Sequence, residues 1–408
     1  MRPYGGGPVI SRRTGLATAA AALLTGASAT SASGAAGPRE GAGPRARLQH
    51  DADAVLAAGA GAVLAEVQTA EGRTTARAGC RDLSGPSRPV PWDAYYRLGS
   101  DTKTFTAVLL LQLVREGQLA LSDTVERWLP GAVRGEGNDG RRITVANLLR
   151  QTSGLNDYLA VSPDAADAFT PDGYLRSRFR YTSPEDQLKA AVSRPPLWLP
   201  EARHPERERR FGYSNTNYVV AGLIVEQVTG RSWAREIHDR IIEPLDLRHT
   251  LTPGTSPYLP APTASAYTWF PDADRPVDTT LAAGGGADGS VISTTHDHGV
   301  FLRALMGGRL LGPAQLAAMK ETVPAGDWIA VPGVRYGLGI AWRPVAGSRD
   351  GIWFHGGTHL GTVSESGVTA DGARAATSVA FTLRMGDPAQ DAQDAAGRRL
   401  IDRALTGR

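Results

Sequence analysis

A serine, a lysine and a tyrosine occur in the sequence with the spacing that acyl-transfer chemistry needs. Lys103 follows Ser100 by three residues, and Tyr213 lies near the middle of the chain with Asn215 two residues later. A serine hydroxyl is a weak nucleophile at neutral pH and needs a nearby base. Residues three apart lie on one face of a helix, so Lys103 could act as the base for Ser100. The set predicts a serine hydrolase that forms an acyl-enzyme on Ser100.

A triplet of His355, Gly356 and Gly357 follows in the last part of the chain. Because the two glycines carry no side chain, the backbone of a substrate could lie along this segment as along an edge strand. The N–H groups of Ser100 and Thr358 could then form an oxyanion hole. Two glycines also fit a bulge at the end of a strand, and a single histidine or tyrosine is more often a core residue, so the interpretation depends on their joint placement.

The residues around Ser100 have the pattern of a strand followed by a buried helix. Residues 95–98 are strand-like, and the apolar run over 105–114 predicts a helix that begins near Ser100. In the first turn of a buried helix, loss of hydration and the positive end of the helix dipole both disfavour a charged lysine, which would make Lys103 a better base. A helix-capping serine followed by a solvated lysine has the same spacing and is the alternative.

Both ends of the chain contain predicted strands. Residues 62–67 and 74–79 predict a hairpin that follows a short helix over 51–58. Near the other end, a helix is predicted over 389–404. It follows strands that are predicted over 336–342, 352–355, 361–369 and 375–383. One sheet built from both chain ends is therefore expected.

The middle of the chain, from about 104 to 250, is predicted to be helical. Apolar spacing over 143–151 and 217–229 indicates two of the helices. Glycines stand where helices should end, at Gly117, Gly154 and Gly230. The expected fold class is α/β of the α+β type, with an antiparallel sheet flanked by helices and an inserted all-helical region.

The N-terminal residues have the composition of an export signal. Arg12 and Arg13 precede an apolar stretch over 15–24, which is shorter than the roughly 20 residues that a membrane span requires. We expect a signal peptide over 1–35, for which the paired arginines favour the twin-arginine route. A flexible leader over 36–48 and one catalytic domain over 49–408 would follow. The protein is thus expected to be secreted, with no integral membrane segment after signal removal.

Charge and cysteine content exclude several function classes. The formal net charge of +3 arises from the three arginines of the signal region, so a nucleic-acid partner is not indicated. The single cysteine, Cys80, excludes an intramolecular disulfide and a multi-cysteine metal site, and it is expected to be a small buried residue. The run His296-Asp297-His298 has no further ligand cluster nearby and is interpreted as a helix-capping turn. We expect no metal and no cofactor, and the sequence does not indicate the oligomeric state.

Three segments resemble motifs of the penicillin-recognising serine hydrolases, the family of class C β-lactamases, D-alanyl-D-alanine carboxypeptidases and related esterases. Residues 97–107, RLGSDTKTFTA, resemble the S-x-x-K motif, and residues 213–217, YSNTN, resemble the Y-x-N motif. Residues 355–357, HGG, resemble the third motif, which is Lys-Thr-Gly in many β-lactamases and His-x-Gly in extracellular actinomycete-type carboxypeptidases and esterases. The resemblance extends from about residue 49 to the C-terminus.

The resemblance implies a β-lactamase/transpeptidase-like fold and a role for each matching residue. Ser100 would attack the substrate carbonyl, and Lys103 with Tyr213 would relay its proton to the leaving group. Asn215 would bind the acyl side of the substrate, and His355 would lie opposite the serine. The implied activity is that of a D-alanyl-D-alanine carboxypeptidase-like peptidase. An esterase, a β-lactamase or a penicillin-binding sensor without turnover are the alternatives, and the partner would be a small peptide, ester or β-lactam.

Three departures from the family pattern bear on the substrate. Ala341 stands where similar carboxypeptidases have an arginine for the terminal carboxylate of the substrate. Arg343, two residues later on the same strand face, could replace it or could be a surface residue. Residues 284–286 are glycines where those relatives have an aromatic residue, which indicates a more open pocket. Residues 200–211 are longer and more charged than usual and could border the site.

Overall fold

The computed structural model describes residues 43–85, 87–162, 167, 169–284 and 286–407. The predicted export signal and the first part of the predicted leader, up to residue 42, lie outside these residues. The helices are α1 Pro44–Ala57, α2 Thr102–Arg115, α3 Val125–Trp128, α4 Val145–Leu149, α5 Tyr158–Val161, α6 Pro171–Ser177, α7 Pro184–Val192, α8 Thr216–Thr229, α9 Trp233–Ile237, α10 Thr295–Met306, α11 Pro313–Met319 and α12 Pro388–Thr406. The strands are β1 Ala62–Thr69, β2 Gly72–Gly79, β3 Tyr96–Arg97, β4 Arg134–Gly135, β5 Asn138–Asp139, β6 Tyr267–Trp269, β7 Val277–Asp278, β8 Ile292–Ser293, β9 Val323–Pro324, β10 Arg335–Tyr336, β11 Ala341–Arg343, β12 Ile352–Phe354, β13 Gly356–His359, β14 Thr362–Val368, β15 Ala375–Ala380 and β16 Thr382–Arg384.

The main sheet has nine strands and is built from both ends of the chain. Its order is β2-β1-β15-β14-β12-β11-β10-β9, and β13 also pairs with β14. The N-terminal strand β1 pairs antiparallel with the C-terminal strand β15, with Val63 opposite Ala380. The predicted fold class, an antiparallel sheet made from both chain ends and flanked by helices, is therefore confirmed.

Helices cover both faces of this sheet, as the alternation of side chains along β1 shows. Val63 packs in a cluster with Leu400 and Ile401 of α12. The next residue, Leu64, points the other way and belongs to the large core cluster that contains Phe301 of α10. Successive side chains of a strand face opposite sides, so β1 is buried on both faces.

The helical region packs around α2, which is the element that begins beside Ser100. Twelve of the fourteen residues of α2 are buried, from Thr102 to Leu113. Gly230 ends α8 with a left-handed backbone, φ 68°, as predicted for a helix-terminating glycine. The region is not all-helical, because β4 and β5 form a short hairpin within it.

Several predicted boundaries differ from the structure. Helix α1 begins at Pro44, so the folded part starts within the predicted leader over 36–48. The strand predicted over 336–342 is two strands, β10 and β11, because Gly337 N–H donates to Ile340 O across a tight turn. The strand predicted over 375–383 is divided between β15 and β16, which belong to different sheets.

The environment of Cys80 differs from the predicted one. Cys80 is partly exposed rather than buried, and its Sγ lies 3.2 Å from Ser87 Oγ. It forms an isolated bridge opposite Pro89, which places it at the edge of the fold. Among the residues that the structure describes, no helix has the length and apolar composition needed to cross a bilayer.

Candidate active site

Ser100 and Lys103 lie together where a short 3₁₀ turn leads into α2. Ser100 is in the turn Gly99–Asp101, and Lys103 is in the first turn of α2. The Lys103 Nζ group donates hydrogen bonds to Ser100 Oγ at 3.0 Å, Asn215 Oδ1 at 2.7 Å and the backbone oxygen of Asp288 at 2.7 Å. Three acceptors thus fix the amine beside the serine hydroxyl.

Lys103 is completely buried, with 0% of its surface exposed. Burial lowers the pKa of Lys103 to about 8, although the carboxyl groups of Asp288 and Asp157 act in the opposite direction. An amine in a low-dielectric site loses hydration energy when it is charged, which is the cause of the lowered pKa. The alternative of a solvated lysine is therefore wrong, and the amine is available as a base in mildly alkaline solution.

Tyr213 approaches the serine from the other side of the site. Its ring stacks on Trp328 with centroids 5.4 Å apart and planes 10° apart, and Lys103 Nζ lies 5.2 Å from the ring centroid. Burial raises the pKa of Tyr213 well above its usual value, while a hydrogen bond with Ser100 acts in the opposite direction. The phenol therefore keeps its proton at neutral pH and can donate a hydrogen bond.

Asn215 connects the lysine to a carboxyl group that sequence reasoning missed. Its Oδ1 accepts from Lys103, and its Nδ2 donates to Asp157 Oδ2 at 2.8 Å. Tyr158, the next residue, donates from its hydroxyl to Asp288 Oδ2 at 3.0 Å. Burial raises the pKa of both Asp157 and Asp288. The lysine pocket therefore has a second layer of polar groups that fixes its two nearest acceptors.

His355 is fully buried and lies against the same aromatic group as Tyr213. Its Nε2 is 2.9 Å from Tyr336 Oη, and its ring centroid is 5.3 Å from that of Trp328. Burial lowers the pKa of His355 to about 4, with a smaller opposing effect from Asp101. The histidine is thus neutral at physiological pH and supports the aromatic wall of the site.

Gly356, Gly357 and Thr358 place strand β13 directly against the turn that holds Ser100. A Cβ on Gly357 would stand 1.7 Å from Leu98 O, so no larger residue fits there. Strand β13 continues the pairing of β12 with β14 in unbroken register, from Trp353–Val368 to Gly356–Glu365. The alternative of a bulge is therefore wrong, and the glycine at 357 allows close backbone packing.

Gly99 makes the same close approach from the serine side. It has a left-handed backbone, φ 55°, and a Cβ on it would stand 2.9 Å from the N atom of Thr358. The backbone next to Ser100 and the backbone of Thr358 are therefore in contact. This arrangement brings together the two segments whose N–H groups were predicted to form the oxyanion hole.

Asp101 fastens the serine turn to the main sheet, a role that the sequence did not indicate. Its Oδ2 accepts from Ser364 Oγ at 2.6 Å and its Oδ1 accepts from Ser366 Oγ at 2.9 Å. Both serines are on β14, and His298 Nε2 lies 3.6 Å from the same carboxylate. The residue after Ser100 is thus a buried anchor with 1% exposure.

Arg343 is not brought to this site, contrary to the prediction that it could bind a substrate carboxylate. It is 3% exposed, and its Nη1 forms an ion pair with Asp402 of α12 at 2.6 Å. Its guanidinium also lies over the ring of Phe354. The C-terminal helix covers this end of β11, so the charge of Arg343 is already paired, and Ala341 is also completely buried.

The structure also shows two further predicted features, the turn at 296–298 and the charged stretch over 200–211. Thr294 caps α10 by accepting from Asp297 N, so the predicted turn at 296–298 is the first turn of that helix. His296 pairs with the buried Glu66 at 2.9 Å, and no metal cluster includes it among the described residues.

From the charged stretch over 200–211, Phe211 packs 5.5 Å from the ring of Tyr336. That stretch therefore ends in the aromatic wall of the site.

Solved structures with this fold include an amidohydrolase and an amidase. A D-stereospecific amidohydrolase from Streptomyces sp. is 35% identical, with a TM-score of 0.76, and the match covers 89% of this chain and 99% of that chain. A D-amino acid amidase from Ochrobactrum anthropi SV3 is 24% identical, with a TM-score of 0.69, over 88% of this chain and 93% of that chain. The second likeness shows the fold alone.

Curated relatives match over a shorter part of the chain. Penicillin-binding protein 4 of Amycolatopsis lactamdurans is 30% identical over 168 residues, which are 41% of this chain and 39% of that protein. Protein flp of Staphylococcus aureus is 30% identical over 155 residues, which are 38% of this chain and 27% of that protein. The family model described as Beta-lactamase matches residues 50–403. The chain therefore belongs to the β-lactamase family.

Proposed function

We propose that this protein is a serine amidohydrolase that cleaves amides or peptides of D-amino acids through an acyl-enzyme on Ser100. The observation that carries the proposal is the buried contact between Lys103 Nζ and Ser100 Oγ at 3.0 Å. A serine next to an amine of lowered pKa is an activated nucleophile. The similarity to a D-stereospecific amidohydrolase, at 35% identity over 99% of that chain, supports the substrate class.

The pKa directions support Lys103 as the base. A general base must be unprotonated before the reaction, and its best pKa lies near the working pH. The pKa of Lys103 is about 8, whereas burial holds the pKa of Tyr213 well above its usual value. Lys103 is therefore neutral in a useful fraction of molecules, while Tyr213 is a proton donor throughout the physiological range.

Acylation would follow from this assignment. The Oγ atom of Ser100 attacks the carbonyl carbon, and its proton passes to Lys103 Nζ. The N–H groups of Ser100 and Thr358 would hold the carbonyl oxygen as it gains negative charge, because these backbone segments lie in contact. Lys103 and Tyr213 would then return the proton to the leaving nitrogen as the C–N bond breaks. Water would attack the ester by the reverse proton path and release the acid.

The charge states of the candidate residues favour a substrate that has no carboxylate next to the scissile bond. Among the three cationic candidates, His355 is neutral because burial lowers its pKa to about 4, and Arg343 is paired with Asp402. Lys103 must lose its charge to act as the base. A carboxylate that leaves water without a paired charge is strongly disfavoured. Uncharged amides are therefore proposed as better substrates than peptides with a free carboxyl end.

A D-alanyl-D-alanine carboxypeptidase-like activity is the second candidate. The partial similarity to Penicillin-binding protein 4, at 30% identity over 168 residues, supports it. Such an enzyme would be acylated by penicillin as a slow inhibitor. An esterase, a β-lactamase or a sensor without turnover would use the same serine, and the substrate range therefore has to be measured.

The test compares turnover and acylation in one set of proteins. The D- and L-enantiomers of an aromatic amino acid amide are supplied to the wild type, to Ser100→Ala and to Ser87→Ala, an exposed serine that serves as the matched control. The proposal expects D-selective release of ammonia in the wild type and in Ser87→Ala, and none in Ser100→Ala. Equal rates for both enantiomers, or activity that survives in Ser100→Ala, would contradict it.

Benzylpenicillin separates the remaining candidates in the same proteins. A lasting mass adduct on wild type without amide turnover would indicate the carboxypeptidase or the sensor, and steady-state cleavage of a D-alanyl-D-alanine peptide would distinguish the two. Penicillin consumed without an adduct would indicate a β-lactamase. Penicillin left intact beside rapid D-amide turnover is the result that the proposed amidohydrolase predicts.

Export of the protein is a second part of the proposal. It is supported by the paired arginines and the small apolar stretch within residues 1–35, which have the composition of a signal peptide. Expression of the full chain in an actinomycete, followed by mass analysis of the culture medium, tests it. A mature N-terminus near residue 36 is expected, and an uncleaved chain that stays inside the cells would refute the proposal.

A further inference from the structure

A cavity of about 150 Å³ lies in the helical region, bordered by α7, α8, α9 and the segment that contains Asp288. Most of its wall is apolar, and Leu223, Trp233 and Ala234 contribute to it. A cavity of this size in a protein interior holds one molecule of the size of benzene. The space is therefore large enough for a small aromatic or branched aliphatic group.

Several polar side chains border this space, and two of them, Glu226 and Gln187, offer carboxylate or amide oxygens as acceptors. Glu226 is exposed at the surface, and its Oε1 accepts from the backbone N–H of Trp233 at 3.2 Å. Gln187 also lines the cavity, and its Oε1 is buried with no hydrogen-bond partner among the described residues. A buried acceptor without a donor lacks the hydrogen bonds that water would give it, which is unfavourable. A ligand that donates hydrogen bonds would relieve this.

We propose that this cavity is a binding site for small apolar ammonium ions, with the hydrocarbon part inside and the cationic group towards Glu226. The apolar wall made by Leu223 and Trp233 favours the hydrocarbon, and the carboxylate favours a positive charge over a neutral or negative one. Benzylamine matches both features, because its ring has the size of the cavity and its amine is one methylene away from the ring.

The cavity is separate from the candidate active site around Ser100 but lies next to it. Ala287 and Ser290 line the cavity, and Asp288 between them accepts from Lys103 Nζ at 2.7 Å through its backbone oxygen. Helix α8 passes close to this wall, because a Cβ on Gly222 would stand 2.7 Å from the Cβ of Ala287. An occupant would therefore contact the backbone that positions Lys103.

Binding of benzylamine to the intact protein tests the site, measured by calorimetry and by ligand-observed NMR. We expect a dissociation constant on the order of 0.1–1 mM for an apolar ligand of this size. Glu226→Gln should weaken benzylamine about two- to fivefold, as for an exposed ion pair, and should leave the binding of toluene unchanged. Gln227→Glu, on the exposed side of the same helix, is the matched control for a change of charge.

Two substitutions that fill the space keep the test independent of any single variant's folding. Leu223→Trp and Ala234→Leu should each weaken both benzylamine and toluene about tenfold or more, while the KM for an amide substrate stays at the wild-type value. No binding to the wild type, or unchanged binding in a folded variant with a filled cavity, would overturn the proposal. Benzylamine that competes with the amide substrate in wild type would place it in the catalytic cleft and would also overturn it.

Discussion

The buried Lys103 is expected to control the pH dependence of acylation. Its pKa is about 8, so about a tenth of the molecules have the neutral amine at pH 7 and about a hundredth at pH 6. The value of kcat/KM for an uncharged D-amino acid amide should therefore rise about tenfold per pH unit up to pH 8 and then level off. The pKa of Tyr213 is too high to produce this rising limb of the pH profile of kcat/KM.

Substitution of Lys103 measures how much the proposed base contributes to kcat/KM. Lys103→Ala should lower kcat/KM by about 10²- to 10⁴-fold, the usual contribution of a general base, and should abolish the limb near pH 8. Lys103→Arg keeps a positive charge that is not lost in the accessible range, so it should be inactive at every pH. Stopped-flow acylation with an ester substrate separates the chemical step from product release. A limb near pH 6, or full turnover in Lys103→Ala, would refute the assignment.

Deprotonation of Lys103 also affects the free energy of unfolding. An unfolded lysine has a pKa of about 10.4, so between pH 8 and 10.4 the unfolded state binds more protons than the folded state. Stability relative to Lys103→Met should therefore rise by about 3 kcal/mol as the pH increases through this range. Urea unfolding of both proteins at pH 7.5, 9 and 10.5 measures it, and a constant difference would contradict the burial argument.

Three further predictions concern residues around the site. Gly357→Ala should destabilise the protein by about 3 kcal/mol or more, because the new Cβ would stand 1.7 Å from a backbone oxygen. Gly356→Ala, whose Cβ would meet its nearest atom at 3.4 Å, should change urea unfolding much less. Trp328→Ala should lower kcat about 10- to 100-fold with a smaller change in KM, since the indole stacks on Tyr213. Trp328→Phe should recover most of that loss. Burial raises the pKa of Glu365 to about 7, above its unfolded value of about 4.3, so wild-type stability should fall by about 3 kcal/mol between pH 4.5 and 7. Glu365→Gln should lack this fall when unfolding is followed across the same range.

Local patterns in the sequence were sufficient to predict most elements of the fold. The predicted strands over 62–67 and 74–79 lie within two residues of β1 and β2, and the closing helix lies within two residues of α12. Periodicity identifies such elements because each buries one face against a neighbour. The strand predicted over 336–342 was too long, since a tight turn at Gly337 interrupts the apolar run.

The polar groups behind the candidate catalytic residues could not be predicted in this way. Asp101 bonds to Ser364 and Ser366, and Tyr158 bonds to Asp288, so each contact joins residues that are distant in sequence. Spacing reports which residues share a face of one element, not which element packs against that face. The same limit explains the wrong prediction for Arg343, whose partner is on the C-terminal helix.

Burial favours the uncharged form of three ionisable residues of the candidate site, Lys103, Tyr213 and His355. It lowers the pKa of Lys103 to about 8 and of His355 to about 4, and it raises the pKa of Tyr213. A neutral substrate can lose its water next to these uncharged groups without leaving an ion unpaired. Among these three groups, only protonated Lys103 could pair with a carboxylate, and in that state the lysine cannot accept the proton of Ser100. One physical cause, the loss of hydration, therefore supports both parts of the proposal, Lys103 as the base and uncharged amides as the substrates.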